Sequence, residues 1–278
     1  MSEDATFRRF FEDHPASVIV TVAEIRGSTP REAGAMMAVS NDATCGTIGG
    51  GQLEYLAIDH ARRLLKGHDA PLRLDIPLGP EIGQCCGGRT VLGFEVADAG
   101  TVDRLLNALA EKAASNPSVY IFGGGHVGAA LAQALAPLPF NTTVIETRPE
   151  MDGPLPETVE LRLSPMPEAE VARMPAGSAA VILTHDHALD FLIATEALKR
   201  NDLAYCGMIG SKTKRATFLS YARKEGLSPN ALSRLTMPIG AGVADKRPSV
   251  IAALVASELI HVISATKAGT LPAERAKT

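Results

Sequence analysis

Two adjacent cysteines stand in the run Gly79-Pro80-Glu81-Ile82-Gly83-Gln84-Cys85-Cys86-Gly87-Gly88-Arg89. Structural thiols usually lie inside apolar runs. These lie in a polar, glycine-rich stretch beside a cation that favours thiolate, the form that acts as nucleophile or metal ligand. The competing reading is a pair of small hydrophobes closing a tight turn. Adjacent cysteines bridge only with strain, and four cysteines in 278 residues make no secreted disulfide framework, so all four read as thiols.

A second kind of chemistry is phosphate binding. Ser118-Val119-Tyr120-Ile121-Phe122 has strong β preference and runs directly into Gly123-Gly124-Gly125-His126-Val127-Gly128, after which residues 129–136 continue as a helix former. Strand, glycine turn and helix in this order make the phosphate-binding unit of dinucleotide folds. Gly123 turns the chain, Gly125 admits a pyrophosphate to the backbone, and Gly128 lets the helix pack on its strand. The helix start offers unpaired N–H groups and a positive dipole end. The next apolar run, Thr142-Thr143-Val144-Ile145, ends in Glu146, placed to accept hydrogen bonds from a ribose diol. The alternative is a Rossmann-shaped domain whose glycines serve packing alone.

Two more glycine turns open helices. Gly49-Gly50-Gly51 precedes Gln52-Leu53-Glu54, with Leu53, Leu56, Ala57, Ala61, Leu64 and Leu65 at helical spacing. A second anion-binding turn and a merely crowded strand-to-helix turn are equally good readings there. Gly210-Ser211-Lys212-Thr213-Lys214-Arg215 is the third, with Lys212 and Arg215 as candidate phosphate contacts. The strand 180–184 delivers His185, Asp186 and His187, with Asp190 beyond, to its carboxyl end, where open α/β sheets bind ligands. His185, His187 and Asp190 suit a divalent metal by type. Bonding a ligand or capping the next helix explains them without one, and no metal ligand is assigned.

The elements that must hold these residues fall into two groups. Before Asn116-Pro117 lie an opening helix with Phe7, Phe10 and Phe11, strands at 18–22, 35–39, 72–76 and 90–96, and a helix from an N-cap at Thr101. After it comes a βα alternation, with strands at 118–122, 142–145, 159–163, 180–184 and 203–208. A Pro- and Glu-rich crossover spans 148–175. Ser228-Pro229 starts a short helix, and an apolar-striped helix follows Pro248. The expected fold is α/β: a mixed α/β domain over 1–116, then a Rossmann-like doubly wound domain over 117–278.

The apolar fraction of 46% fills two cores, and a formal charge of −4 with dispersed basic residues excludes a nucleic-acid footprint. No basic start leads into an apolar h-region, and the most apolar helix is too short to span a bilayer, so the expectation is a soluble cytoplasmic protein without membrane contact.

Taken together, Gly27-Ser28-Thr29-Pro30-Arg31, the run 46–54, Gln84-Cys85-Cys86-Gly87-Gly88, the turn at 123–128, Thr184-His185-Asp186-His187 and Ile209-Gly210-Ser211-Lys212 resemble the xanthine dehydrogenase accessory protein family, XdhC, over nearly the whole chain. The resemblance implies a chaperone that binds the pyranopterin molybdenum cofactor and holds it during sulfuration by a cysteine desulfurase. It then passes the cofactor to the molybdenum-binding subunit of xanthine dehydrogenase. It implies a homodimer that is not itself an enzyme, with the cofactor in the cleft between the domains. Cys85 and Cys86 would touch the cofactor near molybdenum. The other positions assigned to it are Gly49, Gly50, Gly51, Gln52, Gln84, Gly123, Gly125, His126, Gly128, Glu146, His185, Asp186, Ser211 and Lys212. The chain departs from the family in carrying Glu146 where Asp is frequent, and in the segment 238–248. The rival expectation is a nicotinamide-dependent oxidoreductase that binds NAD(P) at the turn and Glu146. A third is a redox-sensing interaction protein using the cysteine pair.

Overall fold

The run Val18-Ile19-Val20-Thr21-Val22 becomes the middle of a sheet because β-branched side chains suit a pleated surface covered on both faces. It lies in β1 (Ser17–Arg26), paired antiparallel with β2 (Met36–Ser40) and β5 (Arg89–Val96). β3 (Thr44–Gly46) and β4 (Arg73–Pro77) complete a five-stranded sheet of order β3-β2-β1-β5-β4. The computed structural model describes residues 2–79, 87–149, 152–240 and 244–267. Gln84, Cys85 and Cys86 lie outside the described residues.

The chain divides into two compact units, residues 1–112 and 113–278. In the N-terminal unit the strand alternation sorts two cores, since successive side chains face opposite ways. Val18, Val20 and Val22 meet Leu53, Ala57 and Ala61 of α2 (Gly51–Leu65). Ile19 and Ala38 meet Phe7, Phe10 and Phe11 of α1 (Glu3–Asp13) and Leu106 and Leu109 of α3 (Ala99–Ala114).

Two local expectations are corrected here. Thr101 is not the N-cap of α3: Asp98 accepts its N–H at 2.7 Å, and the Thr101 hydroxyl bonds Glu95 at 3.0 Å from inside the helix. On α2, Leu56 is 38% exposed while His60 is buried, its Nε2 lying 2.8 Å from the Pro71 carbonyl and its ring against Phe94. Leu56 lies at the edge of the buried stripe that Leu53, Ala57, His60 and Ala61 form.

The C-terminal unit is the doubly wound Rossmann-like domain expected from the βα alternation. Six parallel strands run in the order β11-β10-β9-β6-β7-β8. They are β6 (Ser118–Phe122), β7 (Asn141–Glu146), β8 (Glu160–Leu163), β9 (Ala179–Ile182), β10 (Tyr205–Met208) and the edge pair β11 (Leu235–Thr236). Val119 and Ile121 pack with α4 (His126–Leu135) and α9 (Pro248–Lys267) on one face. Tyr120 and Phe122 pack with α6 (His187–Lys199), α7 (Lys212–Lys224), α8 (Pro229–Ser233) and the neighbourhood of α5 (Pro167–Glu170) on the other. Strand order reverses between β6 and β9, which sets the glycine turn at the switch point where such sheets bind ligands.

The apolar stripe of α9 is spent inside this unit. Ala252, Val255, Ala256, Leu259 and Ile263 are buried, and Glu258 accepts the Tyr205 hydroxyl at 2.6 Å and the Gly240 N–H at 3.0 Å.

Candidate functional site

Gly123 adopts φ +112° at the end of β6, and a Cβ on it would lie 2.6 Å from the Leu183 carbonyl oxygen. A Cβ on Gly128 would lie 2.0 Å from the Gly123 carbonyl oxygen. One glycine is required by backbone conformation and close approach, the other by the tight stacking of α4 on its strand. Gly125 serves as N-cap of α4 without a side-chain cap. A cavity of about 300 Å³ opens over this turn, lined by Gly123, Gly125, His126, Val127, Glu146, Arg148, Asp152, Leu183, Thr184, His185 and Ile209.

Glu146 ends β7 and is only 3% exposed. Its Oε2 accepts the Gly124 N–H at 2.7 Å and faces Arg148 Nη2 at 3.2 Å. Its Oε1 accepts the N–H groups of Thr147 (2.8 Å) and Arg148 (3.1 Å), with the Thr147 hydroxyl at 3.2 Å and Arg148 Nε at 3.3 Å. Burial pushes this carboxyl up, but Arg148 and the three backbone donors outweigh it and hold the pKa at about 2. A carboxylate has about four lone-pair sites. Those of Glu146 are taken by the chain itself, so its geometry departs from the expected ribose acceptor.

The opposite wall is fixed by a buried ion pair. Asp190 on α6 is fully buried and accepts the Thr184 N–H at 2.9 Å, with the Thr184 hydroxyl at 2.7 Å. Its other oxygen is bonded by Lys214 Nζ from α7, a side chain 8% exposed. Asp186 caps α6 through the Ala188 N–H at 2.8 Å, and Ser211 caps α7 through the Lys214 N–H at 3.1 Å. The strand-end acids thus serve the chain's own backbone and Lys214. Among the described residues no group of three His, Cys, Asp or Glu side chains is placed to hold a metal ion.

Of the sequence-predicted residues, the fold brings Gly123, Gly125, His126, Glu146 and His185 to this cavity, with Gly128 behind it. Asp186, Ser211 and Lys212 do not line it. The sequence reading passed over Arg148, Asp152 and Lys214. Lys214 had a signal: it shares a helical face with Phe218 and Ala222, both buried at i+4 and i+8.

In the N-terminal unit the glycine turn is already filled. Gly49, Gly50 and Gly51 have φ of +135°, +77° and +63°, and they lead into α2. The Glu54 carboxylate folds back to accept the Thr47 hydroxyl and the Ile48 N–H at 3.0 Å. Burial pushes its pKa up, yet the Thr47 hydroxyl and the backbone donors of Gly50, Ile48 and Gly49 hold it below the usual carboxylate range. An internal carboxylate therefore takes the donors a ligand anion would use.

Three separate motifs meet beside this turn. A Cβ on Gly49 would touch Pro30 Cγ at 2.9 Å, and one on Gly88 would lie 2.0 Å from the Ser28 carbonyl oxygen. The stretch holding the cysteine pair is closed at its base by Leu78 N–H to Gly88 O (2.8 Å) and Gly87 N–H to Leu78 O (3.0 Å). Arg89, expected to favour thiolate at the pair, is engaged by Asp75 at 2.6 Å. A second cavity, about 570 Å³, lies between residues 30–36 and α3, with Arg31, Glu32 and Lys112 at its rim.

Such an arrangement defines a two-unit protein with a mixed α/β N-terminal unit and a Rossmann-like C-terminal unit. Residues 119–259 match the XdhC Rossmann domain, and residues 12–75 match the XdhC and CoxI family. The chain belongs to the XdhC family. It is 26% identical over 248 residues to a protein of Escherichia coli (strain K12) named "Uncharacterized protein YqeB", covering 87% of this chain and 42% of the relative. The chain therefore spans about two fifths of the length of that relative. A crystal structure described as a xanthine dehydrogenase from Bacillus halodurans superposes with a TM-score of 0.76 at 19% identity, covering 98% of each chain. That likeness establishes the shared fold. No helix among the described residues is long and apolar enough to cross a membrane.

Proposed function

We propose that this protein is a xanthine dehydrogenase maturation factor that binds and protects the molybdenum cofactor and assists its sulfuration. It then delivers the cofactor to the molybdenum-binding subunit. The supporting observation is the meeting of the 27–31 motif with the Gly49 turn and with Gly88, at the base of the stretch that carries Cys85 and Cys86. Glycine is required at Gly88 by contact with the Ser28 backbone and at Gly49 by contact with the Pro30 ring. Soft thiolate is a competent ligand or sulfur-handling group for a soft metal centre. Family membership supports the same reading.

In this reading Cys85, Cys86 and Gln84 are the contacts to the metal of the cofactor, the Gly123 turn with His126 and His185 is a phosphate-binding turn, and the protein is a carrier rather than a catalyst. It works as a homodimer in the cytoplasm beside a cysteine desulfurase. The bonding of Glu146 to its own backbone favours this reading over a nicotinamide oxidoreductase. The test is metal and pterin analysis of protein purified from a cell that makes the cofactor. Stoichiometric pterin with molybdenum is expected, and protein free of both contradicts the proposal.

A further inference from the structure

Strand β8 closes one edge of the C-terminal sheet, with β7 beside it and no strand beyond it among the described residues. Its register with β7 runs without a bulge over Thr143↔Glu160, Val144↔Leu161, Ile145↔Arg162 and Glu146↔Leu163. The Ser164 N–H donates to the Glu146 carbonyl at 2.9 Å, and this fixes the alternation of the parallel ladder. Glu160 and Arg162 turn their backbone groups towards β7. Leu161 and Leu163 turn theirs outwards.

The side chains along this edge are apolar on one face. Leu161 stands beside Val144 at the margin of the core that α4 and α9 cover, yet it is 41% exposed. Leu163 is 53% exposed, and Met166, just beyond the strand, is 59% exposed. An edge with open backbone groups and apolar side chains is a template for another strand. Proteins that keep such an edge single blunt it with Lys, Pro or a bulge, and residues 160–163 hold none of these.

The charges on the other face say which strand fits. Glu160 and Arg162 flank Leu161 and already pair within the strand, Arg162 Nη2 lying 2.9 Å from Glu160 Oε1. A second copy laid antiparallel about a two-fold axis through Leu161 sets its Arg162 against Glu160 and its Glu160 against Arg162. Leu161 then meets Leu161, and their outward N–H and carbonyl groups exchange hydrogen bonds. Opposite charges and apolar side chains directly across from one another are the pairs that stabilise antiparallel strands. Centring the axis on Arg162 would instead oppose two guanidinium groups. A strand from a different protein would need no such symmetry.

We infer that β8 is the contact between two copies of this chain, paired antiparallel about Leu161 so that the two six-stranded sheets become one. The inference rests on the homodimer of the proposed function and supplies its contact surface.

The experiment is sedimentation velocity of the whole purified protein over a dilution series. It compares wild type, Leu161→Lys, Glu160→Arg, Arg162→Glu and an equimolar mixture of the last two. Wild type should dimerise. Leu161→Lys, folded by circular dichroism, should raise the dimer Kd at least about 10-fold, because an apolar pair becomes a like-charged one. Each charge variant alone sets like charges across the axis and should weaken the dimer in the same way. Their mixture should recover it, since each supplies the sign that the other lacks, and recovery also shows that both are folded.

A wild type that stays monomeric overturns the inference and the homodimer together, while metal and pterin content decides the carrier reading separately. A dimer that Leu161→Lys leaves intact overturns the inference alone, because the copies then meet elsewhere. A mixture of the charge variants that dimerises no more tightly than either one overturns the pairing about Leu161.

Discussion

Gly88 presses on Ser28 so closely that a single added methyl would lie 2.0 Å from the Ser28 carbonyl oxygen and 2.9 Å from that of Arg26. The contact joins the downstream foot of the cysteine-bearing stretch to the turn after β1. With the two hydrogen bonds between Leu78 and the Gly87-Gly88 pair, it anchors both ends of that stretch to the sheet.

Replacing Gly88 by Ala forces backbone apart and should cost the N-terminal unit about 2–3 kcal/mol. Gly87, one residue away, has φ +67° but nothing within 4 Å of its Cβ position. Gly87→Ala should therefore cost only the strain of a left-handed residue, about 1–2 kcal/mol. Urea unfolding of the two variants checks the order. Equal or reversed costs would mean that the Gly88 contact is not what holds the loop base.

Acid should loosen the C-terminal unit through Glu146. Its folded pKa of about 2 lies below the ordinary 4.5, so protons prefer the unfolded chain. The contribution is complete above the ordinary value and is lost as pH falls towards 2. It amounts to about 3 kcal/mol at most. Glu146→Gln should be destabilised by up to that amount at pH 7, and the gap to wild type should close between about pH 5 and pH 2. A gap independent of pH, measured by denaturant unfolding across that range, would show that the carboxylate charge is not what stabilises the turn.

The Asp190 and Lys214 pair makes a prediction about coupling. Lys214→Met leaves a fully buried carboxylate without its cation and should cost about 3–5 kcal/mol. The double variant with Asp190→Asn removes the orphaned charge and keeps an acceptor for the Thr184 N–H, so it should recover much of that loss. Simple additivity in the double-mutant cycle would refute the pairing.

How much of this was readable beforehand depends on how local the cause is. The turn at 123–128 was legible because its glycines answer to local backbone geometry: a positive φ at Gly123 and the approach of Gly123 to Gly128. The doubly wound sheet was legible from the spacing of its apolar runs, although the short strands β3 and β11 carry too few residues to show a period. Glu146 was legible as an acid at a strand end. Its engagement by Gly124 was not, because that residue lies 22 positions earlier and comes alongside only when β6 and β7 pair. The same holds for Glu54, whose N-terminal turn reads as a ligand site until the helix returns a carboxylate to it. Asp190 and Lys214 come from different helices, and only packing brings them together.

Contact of Cys85 and Cys86 with the molybdenum cofactor is tested most directly by one titration. Purified protein is titrated with the cofactor alongside the Cys85→Ala/Cys86→Ala double variant, with folding of both checked by circular dichroism. Saturable binding by the wild type and at least about 10-fold weaker binding by the double variant are predicted, as expected on losing soft ligands to a soft metal. Unchanged affinity in the double variant would contradict the account.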